Sequence, residues 1–338
     1  MRTLILDIRN GGQDIHTAVR QAAEIIKRGG LVAFPTETVY GLGADAFNEE
    51  AVRRVYEAKG RPADNPMIVH IARASDIELL TASLTPGFVK LADAFWPGPL
   101  TMVVKKRPEV PGACTGGLDT VGVRLPDSEV ARELIRLAGT PVAAPSANIS
   151  GSPSPTKGEH VIRDLDGKVD AIIAGEDCRV GIESTVVDMT GPAPVVLRPG
   201  VITAGDIEAA LAEDGGLRIQ QRDAACEETS APRSPGMKYR HYAPRAQMLV
   251  VEGEREKVKA ELERLKALNE RLGAKVGLLV FEESDYLKAA HDFYSRLRQL
   301  DDEGADLIIA GALPAADGIS FAVMNRMMRA AGYNVVRV

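Results

Sequence analysis

Apolar and polar residues follow two different rhythms along the first 205 residues, one typical of helices and one typical of short buried strands. Helical spacing predicts helices over 17–27, 48–59, 86–95 and 128–138. Short apolar runs predict strands at 31–35, 67–72, 100–106, 120–126, 170–175, 184–189 and 194–200. Because many of these strands stand too close together for regular βαβ units, the pattern predicts an α/β domain with a twisted, mixed sheet.

A second α/β pattern follows residue 246. Strand-like runs at 248–253, 274–283, 306–311 and 334–338 alternate with helical stretches at 255–272, 289–300 and 321–331. This alternation predicts a smaller, Rossmann-like domain with a parallel sheet over 247–338. It contains no GxGxxG motif, so no dinucleotide is implied. Residues 211–246 have few apolar positions and several Pro and Gly, which is typical of a linker, so the first domain would span 1–210.

Composition and charge exclude several classes of function. No apolar run in the 338 residues approaches the ~20 residues of a membrane helix, and no secretory signal pattern is visible, so we expect a cytoplasmic protein without membrane contact. The net charge of −6 and the 4% aromatic content argue against a broad nucleic-acid binder. Three widely spaced cysteines without a CxxC pair suggest neither a disulfide framework nor structural zinc.

The segment PTETVYGLG (35–43) directly follows a predicted strand. Its glycines are expected to let the backbone turn tightly and approach a ligand. Thr36 and Thr38 offer hydroxyls there, and Glu37 offers a carboxylate. Taken alone, a polar turn of this kind is more often structural than functional.

The segment KGRPADNP (59–66) places Lys59 and Arg61 two residues apart in a stretch that its prolines keep extended. Both charges can then converge on one anion, and a triphosphate suits a lysine point charge combined with an arginine fork. Asn65 can bind phosphate or sugar oxygens. We expect the two cations to be exposed in a cleft and unimportant for packing. A solvated charged loop is the alternative for this motif by itself.

Two chemically active side chains lie inside predicted strands. His70 is most simply a core histidine, unless its strand faces a cleft. Arg124 needs a partner, either a structural carboxylate or the carboxylate of a substrate. Ser184 and Arg198 stand at further strand edges. At 141–156, an apolar strand ends at Pro145 and is followed by a loop with small hydroxyl and amide side chains. Such side chains suit a nucleotide, and a flexible loop without a ligand is the alternative.

Together these motifs resemble the threonylcarbamoyl-AMP synthase family in its long, two-domain form. The matching segments are PTETVYGLG (35–43), KGRPADNP (59–66), PSANISG (145–151), GIESTVVD (181–188), LRPG (197–200) and SPGMKYRHYAP (234–244). The resemblance implies a YrdC-like N-terminal domain that condenses L-threonine, bicarbonate and ATP to L-threonylcarbamoyl-AMP and pyrophosphate. A separate complex would transfer the threonylcarbamoyl group to tRNA beside the anticodon, so direct tRNA binding should be weak or absent.

The same resemblance implies a role for each residue of the site. ATP would be bound by Lys59, Arg61, Asn65, Thr120, Ser146, Asn148, Ser154 and Arg198, with Lys59 and Arg61 acting in catalysis. L-Threonine would be bound by Thr36, Thr38, His70, Arg124, Ala144 and Ser184. The linker would fold back as a lid carrying Tyr239, His241 and Tyr242. Mg²⁺ would accompany ATP, with no metal site from the protein alone.

Three other interpretations are open at this point. An RNA-binding module is disfavoured by the acidic charge and the scarce aromatics. An enzyme that uses carbamoyl phosphate, as in hydrogenase maturation proteins, is disfavoured because those chains are much longer and contain zinc-finger cysteine pairs. The C-terminal domain is either a regulatory or partner-binding element or a support for the linker, and the sequence does not separate these roles.

Overall fold

The computed structural model describes residues 2–9, 12–212, 219–221, 242–282, 285–314 and 318–338. Its helices are α1 (Ile15–Lys27), α2 (Glu49–Lys59), α3 (Pro86–Phe95), α4 (Gly112–Thr115), α5 (Glu129–Ala138), α6 (Gly158–Leu165), α7 (Ala204–Leu211), α8 (Arg255–Arg271), α9 (Tyr286–Asp302) and α10 (Gly318–Ala330), with a 3₁₀ helix at Ala74–Leu79. Its strands are β1 (Leu4–Asp7), β2 (Val32–Phe34), β3 (Gly41–Asp45), β4 (Ile68–His70), β5 (Leu100–Lys105), β6 (Thr120–Arg124), β7 (Val142–Ala143), β8 (Ala171–Ala174), β9 (Thr185–Asp188), β10 (Val195–Arg198), β11 (Gln220–Gln221), β12 (Gln247–Glu252), β13 (Val276–Leu279), β14 (Leu307–Gly311) and β15 (Val335–Arg337).

The larger sheet is mixed, as predicted. Within the described residues it has eleven strands in the order β1-β8-β2-β3-β7-β4-β6-β5-β9-β10-β11. The pairs β2–β3 and β9–β10 are antiparallel because their short connections leave no room for a crossover. Helices α1 and α5 cover one face of the sheet, and a larger apolar core that includes side chains of α2 and α3 fills the other.

The smaller sheet is parallel, with the order β13-β14-β12-β15. Buried side chains of α9 and α10 pack on one face, and those of α8 pack on the other. The predicted Rossmann-like arrangement is therefore confirmed. In the part of the chain that the structure describes, no helix is both long and apolar enough to cross a membrane.

The GLG of the first motif is not a turn, which corrects the sequence interpretation. It forms β3, which pairs with β2 and β7. A Cβ on Gly43 would lie 2.6 Å from Val142 Cγ1 and 2.7 Å from Phe34 Cε1, so a glycine is required there for close packing. Strand β11 also lies within the expected linker, where it pairs with β10. Tyr239 and His241 of the expected lid lie outside the described residues.

The two sheets belong to parts of the chain that pack closely together. Val39 and Ile182 from the first part share an apolar core with buried residues of α9 and α10. Gly181 has a φ of +83°, and a Cβ there would lie 2.4 Å from His291 Cα on α9. The α9 backbone therefore approaches the GIEST segment more closely than any side chain at position 181 would allow.

Candidate active site

A cleft in the larger sheet collects residues that are far apart in the sequence. Its lining combines six non-candidate residues, Val39, Tyr40, Gly41, Ile68, Pro145 and Glu183, with ten of the predicted site residues, namely Thr36, Thr38, Arg61, His70, Arg124, Ala144, Ser146, Ser184, Arg198 and Tyr242. Strands β4, β6 and β7 lie side by side, and this brings the ends of three separate motifs to one place. The strand containing His70 thus faces the cleft, which was the condition for giving that histidine a functional role.

Lys59 is buried against the loop that follows Pro145 and is not exposed in the cleft. It ends α2, and Gly60 follows in a left-handed conformation with a φ of 62°. Only 1% of Lys59 is exposed, and its Nζ donates to the carbonyls of Ser146 and Asn148. Burial, reinforced by nearby Arg61, lowers the pKa of Lys59 well below its ordinary value. The expectation that this cation is exposed and unimportant for packing was therefore wrong.

Arg61 and Asn65 carry buried polar atoms that have no hydrogen-bond partner among the described residues. Arg61 Nη2 donates to the Pro66 carbonyl over 3.0 Å, but its Nε is unpaired. Both amide atoms of Asn65 are unpaired as well. Burial lowers the pKa of Arg61 to about 10. Unpaired buried donors and acceptors are costly, so these two residues fit a site that a polar ligand completes.

Three hydroxyl residues of the cleft lining, Thr36, Thr38 and Ser184, belong to two hydrogen-bonded pairs. The Oγ1 atoms of Thr36 and Thr38 are 2.9 Å apart, and the Oγ of Ser184 lies 2.8 Å from Thr101 Oγ1. Arg198 donates from Nε to the Ser184 carbonyl over 3.1 Å and from Nη2 to the Ser184 hydroxyl over 3.2 Å. No local pattern selects Thr101, because it occupies an apolar-patterned strand position and its role depends on the pairing of β5 with β9.

Arg124 has a structural carboxylate partner. Its Nη2 lies 2.7 Å from Glu37 Oε2, and both side chains are buried. Arg124 is also the register partner of His70 across β4 and β6. Burial, followed by the charge of Arg124, lowers the pKa of His70 to about 3, and its Nδ1 has no hydrogen-bond partner in the described part of the chain. His70 is therefore a neutral imidazole near neutral pH.

The remaining candidates are not part of the cleft lining. Asn148 accepts a 2.6 Å hydrogen bond from Ser146 Oγ and holds its own loop through its amide. Ser154 donates to Glu183 Oε1 over 2.6 Å. The backbone carbonyl of Asn65 accepts a 3.4 Å hydrogen bond from Arg61 Nη2. Thr120 lines a separate, smaller cavity together with Thr101.

Sequence reasoning missed Glu183 as a site residue, although the GIEST segment was noted. Glu183 lines the cleft and is buried, and it also accepts hydrogen bonds from Tyr294 and Arg326 of the C-terminal part. Those two residues occupy ordinary helical positions, so no local pattern could have selected them. Tyr242, the described member of the expected lid, packs its ring 5.4 Å from that of Tyr294.

Comparisons with known proteins agree with this architecture. Residues 24–200 match the family model described as "Telomere recombination", and residues 202–332 match "Threonylcarbamoyl-AMP synthase, C-terminal domain". The threonylcarbamoyl-AMP synthase of Pyrococcus abyssi is 46% identical, with 99% of this chain and 100% of that protein covered. The chain belongs to the threonylcarbamoyl-AMP synthase family. It is accordingly an enzyme of the nucleotidyltransferase class.

Two further comparisons, one with a curated relative and one with a solved structure, support the two-domain form. The Bacillus subtilis synthase is 43% identical, with 94% of each chain covered. The crystal structure of P. abyssi Sua5 in complex with L-threonine matches with a TM-score of 0.92 at 45% identity, covering 99% of this chain and 100% of that one. The family and the long, two-domain form expected from the motifs are confirmed.

Proposed function

We propose that this enzyme condenses L-threonine, bicarbonate and ATP to L-threonylcarbamoyl-AMP and releases pyrophosphate. The observation that carries the proposal is the joint lining of one cleft by two kinds of group. Arg61, Arg198 and Ser146 suit a nucleotide phosphate chain, whereas Arg124 and His70 suit the carboxylate and the polar groups of an amino acid. The Sua5 structure that holds L-threonine, at 45% identity, supports the second assignment.

The proposed chemistry requires two bond-forming steps. The amine of threonine attacks the carbon of bicarbonate, a C–O bond breaks with loss of water, and a carbamate results. A carbamate oxygen then attacks the α-phosphorus of ATP, and the bond to the bridging oxygen breaks so that pyrophosphate leaves. The carbamate is a weak and labile nucleophile, so positioning and charge neutralisation in a dry site would supply most of the rate. No covalent enzyme intermediate is needed.

We assign the nucleotide roles as the family resemblance implies, with one refinement. Arg61 and Arg198 would contact the phosphates directly, because both line the cleft. Lys59 holds the Ser146 and Asn148 carbonyls, so in this conformation it shapes the loop that would receive the nucleotide. Asn65, Ser154 and Thr120 remain proposed parts of the ATP site at its periphery.

We assign threonine to the other end of the cleft, with Thr36, Thr38, His70, Arg124, Ala144 and Ser184 around it. Neutral His70 can accept a hydrogen bond from an ammonium or a hydroxyl group. Tyr242 would contribute to a lid that excludes water, and its position on the cleft lining supports that role.

Mg²⁺ is proposed as a companion of ATP. The cleft lining is cationic and hydroxylic, and its Glu183 carboxylate already accepts hydrogen bonds from three side chains. Such a donor set fits an ion held mainly by phosphate oxygens and water. When bound, the ion would neutralise phosphate charge.

The product would serve threonylcarbamoyladenosine formation in tRNA through a separate complex. Direct recognition of tRNA by this chain is not part of the proposal, because the net charge of −6 favours no broad RNA contact. The cytoplasmic location expected from the sequence also stays a prediction.

Pyrophosphate release from ATP tests the proposal. The purified chain is incubated with Mg²⁺ and ATP, with or without bicarbonate, and with L-threonine, L-valine or no amino acid. We expect release that depends on both threonine and bicarbonate, and much slower release with valine if the site bonds the substrate hydroxyl. Pyrophosphate release that does not depend on threonine, or no release from a folded protein, would contradict the proposed reaction. A salt-dependent shift of RNA in a binding assay would then favour the RNA-binding alternative.

A further inference from the structure

Glu183 connects the cleft to the C-terminal part of the chain. Its carboxylate accepts hydrogen bonds from Tyr294 Oη over 2.9 Å at each oxygen and from Arg326 Nε over 3.1 Å. On the N-terminal side it accepts a 2.6 Å hydrogen bond from Ser154 Oγ. One buried carboxylate is thus shared between a residue of the expected ATP site and two residues of helices α9 and α10.

Arg326 extends this connection to a second segment of the cleft. It is fully buried, and it donates from Nη1 to the Pro199 carbonyl and from Nη2 to the Glu183 carbonyl over 3.4 Å. Glu183 and Pro199 are the chain neighbours of Ser184 and Arg198, which bond to each other in the cleft. A single guanidinium on α10 therefore fixes the spacing between two strand ends that carry substrate-binding candidates.

The electrostatics support a role in the cleft beyond packing. A buried carboxylate beside the path of a triphosphate would repel it unless its charge were balanced. Burial raises the pKa of Glu183, but the neighbouring Arg326 and Arg198 outweigh this effect and hold the pKa below its ordinary value, so the group is ionised. Burial and Glu183 together raise the pKa of Tyr294 well above its ordinary value, so its hydroxyl remains a donor.

We propose that Tyr294 and Arg326 are positioning residues for ATP, acting through Glu183 on Ser154 and Arg198. The C-terminal part thereby holds residues of the active site in place, in addition to any effect on the linker. This inference rests on the proposed function, because it assigns ATP to the cleft. Neither residue belongs to the cleft lining, so both would act through the residues that they contact.

Tyr294→Phe is the most direct test. It removes one hydroxyl and keeps the ring that packs on Tyr242 and Phe293. We expect the KM for ATP to rise about tenfold, as for loss of a hydrogen bond to a charged group. The KM for L-threonine should change much less, and the thermal unfolding midpoint should stay close to that of the native chain. Arg326→Met is less suitable because it leaves the buried Glu183 charge uncompensated and strongly destabilises the fold.

Arg163→Gln is the matched control. It breaks the ion pair between Arg163 on α6 and Asp302 on α9, which joins the same two parts of the chain without touching Glu183. We expect its KM for ATP to match that of the native chain. An unchanged KM for ATP in Tyr294→Phe, or an equal rise in both variants, would overturn the inference.

A double-mutant cycle tests the path through Glu183. Tyr294 and Ser154 both form hydrogen bonds with Glu183. The factor by which the double variant raises the KM for ATP should therefore differ from the product of the factors of Tyr294→Phe and Ser154→Ala. Multiplicative effects of the two substitutions would overturn a shared path. A native chain that releases no pyrophosphate would refute the proposed function and this inference with it, whereas native turnover with an unchanged Tyr294→Phe would refute this inference alone.

Discussion

The Arg124 guanidinium lies 2.7 Å from the Glu37 carboxylate, and both side chains are buried at the cleft. Arginine has five N–H donors, so Arg124 can hold Glu37 and still present donors to a second carboxylate. Glu37 thus supplies the counter-charge that keeps Arg124 in place before a substrate arrives. Burying the Arg124 charge alone would carry a large desolvation penalty, which Glu37 offsets. The paired Arg124 is thus already positioned to bind a second anion.

Replacing Glu37 should destabilise the protein and make its stability more dependent on threonine. Glu37→Gln leaves Arg124 without its counter-charge, and we expect a loss of about 3 kcal/mol in the free energy of unfolding. Saturating L-threonine should restore more stability to this variant than to the native chain, because its carboxylate replaces the lost charge. Urea unfolding with and without threonine measures both effects.

Glu133→Gln is the control for that experiment. It breaks the exposed Glu133–Arg136 pair on α5, which is worth less than about 1 kcal/mol. If Glu37→Gln were as stable as Glu133→Gln, the Arg124–Glu37 pair would not have the structural importance assigned to it.

Lys59 and Arg61 should differ in what their loss does to the fold. Both Lys59→Met and Arg61→Met should lower the rate of pyrophosphate release by about a hundredfold or more through lost positioning and charge stabilisation. Lys59→Met should also lower the thermal unfolding midpoint, because the Ser146 and Asn148 carbonyls lose their donor. Arg61→Met should unfold nearer to the native midpoint. Equal midpoints for Lys59→Met and the native chain would contradict the structural role of Lys59.

His70 should make the fold sensitive to acid. Its pKa is lowered to about 3 in the folded chain, whereas an unfolded histidine titrates near pH ~6.5. The unfolded chain therefore binds more protons between these values, and the free energy of unfolding falls as the pH drops below ~6.5. At pH 5 this residue alone should cost about 2 kcal/mol.

Urea unfolding at pH 7.5 and pH 5 measures this effect, and His70→Asn should reduce the difference between the two values. His160 contributes in the same direction, since burial and then Arg298 lower its pKa to about 4, so some acid sensitivity should persist in the variant. An identical pH dependence in His70→Asn and the native chain would show that His70 is not buried in its neutral form.

Gly181 should be indispensable for contact between the two parts of the chain. A Cβ there would lie 2.4 Å from both the Cα and the carbonyl oxygen of His291. Gly181→Ala should therefore lower the unfolding midpoint and impair pyrophosphate release. Gly117→Ala is the matched control, because Gly117 has a similar φ of +85° but open space around its Cβ position. A similar loss of stability in both variants would indicate backbone strain alone.

Local sequence signals predict most helices and strands of this chain. They do not predict features that depend on contacts between distant parts of the chain. Asn48 caps α2 and Ser128 caps α5, as these residue types at helix starts indicate. The glycines of β3 have the local signature of a turn, but the close approach that requires Gly43 comes from Phe34 and Val142 on other strands.

The same distinction applies to the site. Motifs at strand ends identified most of the cleft lining, since parallel and antiparallel neighbours bring such ends together. Glu37 as the partner of Arg124 and Arg326 as the partner of Glu183 depend on side chains 87 and 143 positions apart. No local pattern encodes contacts at that separation. The burial of Lys59 was missed for the same reason, because its two acceptors belong to the loop after β7.

The fate of the bicarbonate carbon decides whether the proposed reaction takes place. The purified chain is supplied with Mg²⁺, ATP, L-threonine and ¹³C-bicarbonate, and the nucleotide products are separated and weighed by mass spectrometry. We expect an AMP adduct with the mass of L-threonylcarbamoyl-AMP that carries one ¹³C and forms together with pyrophosphate. An adduct of threonine and AMP without the labelled carbon, or AMP and pyrophosphate alone from freshly quenched reactions, would contradict it.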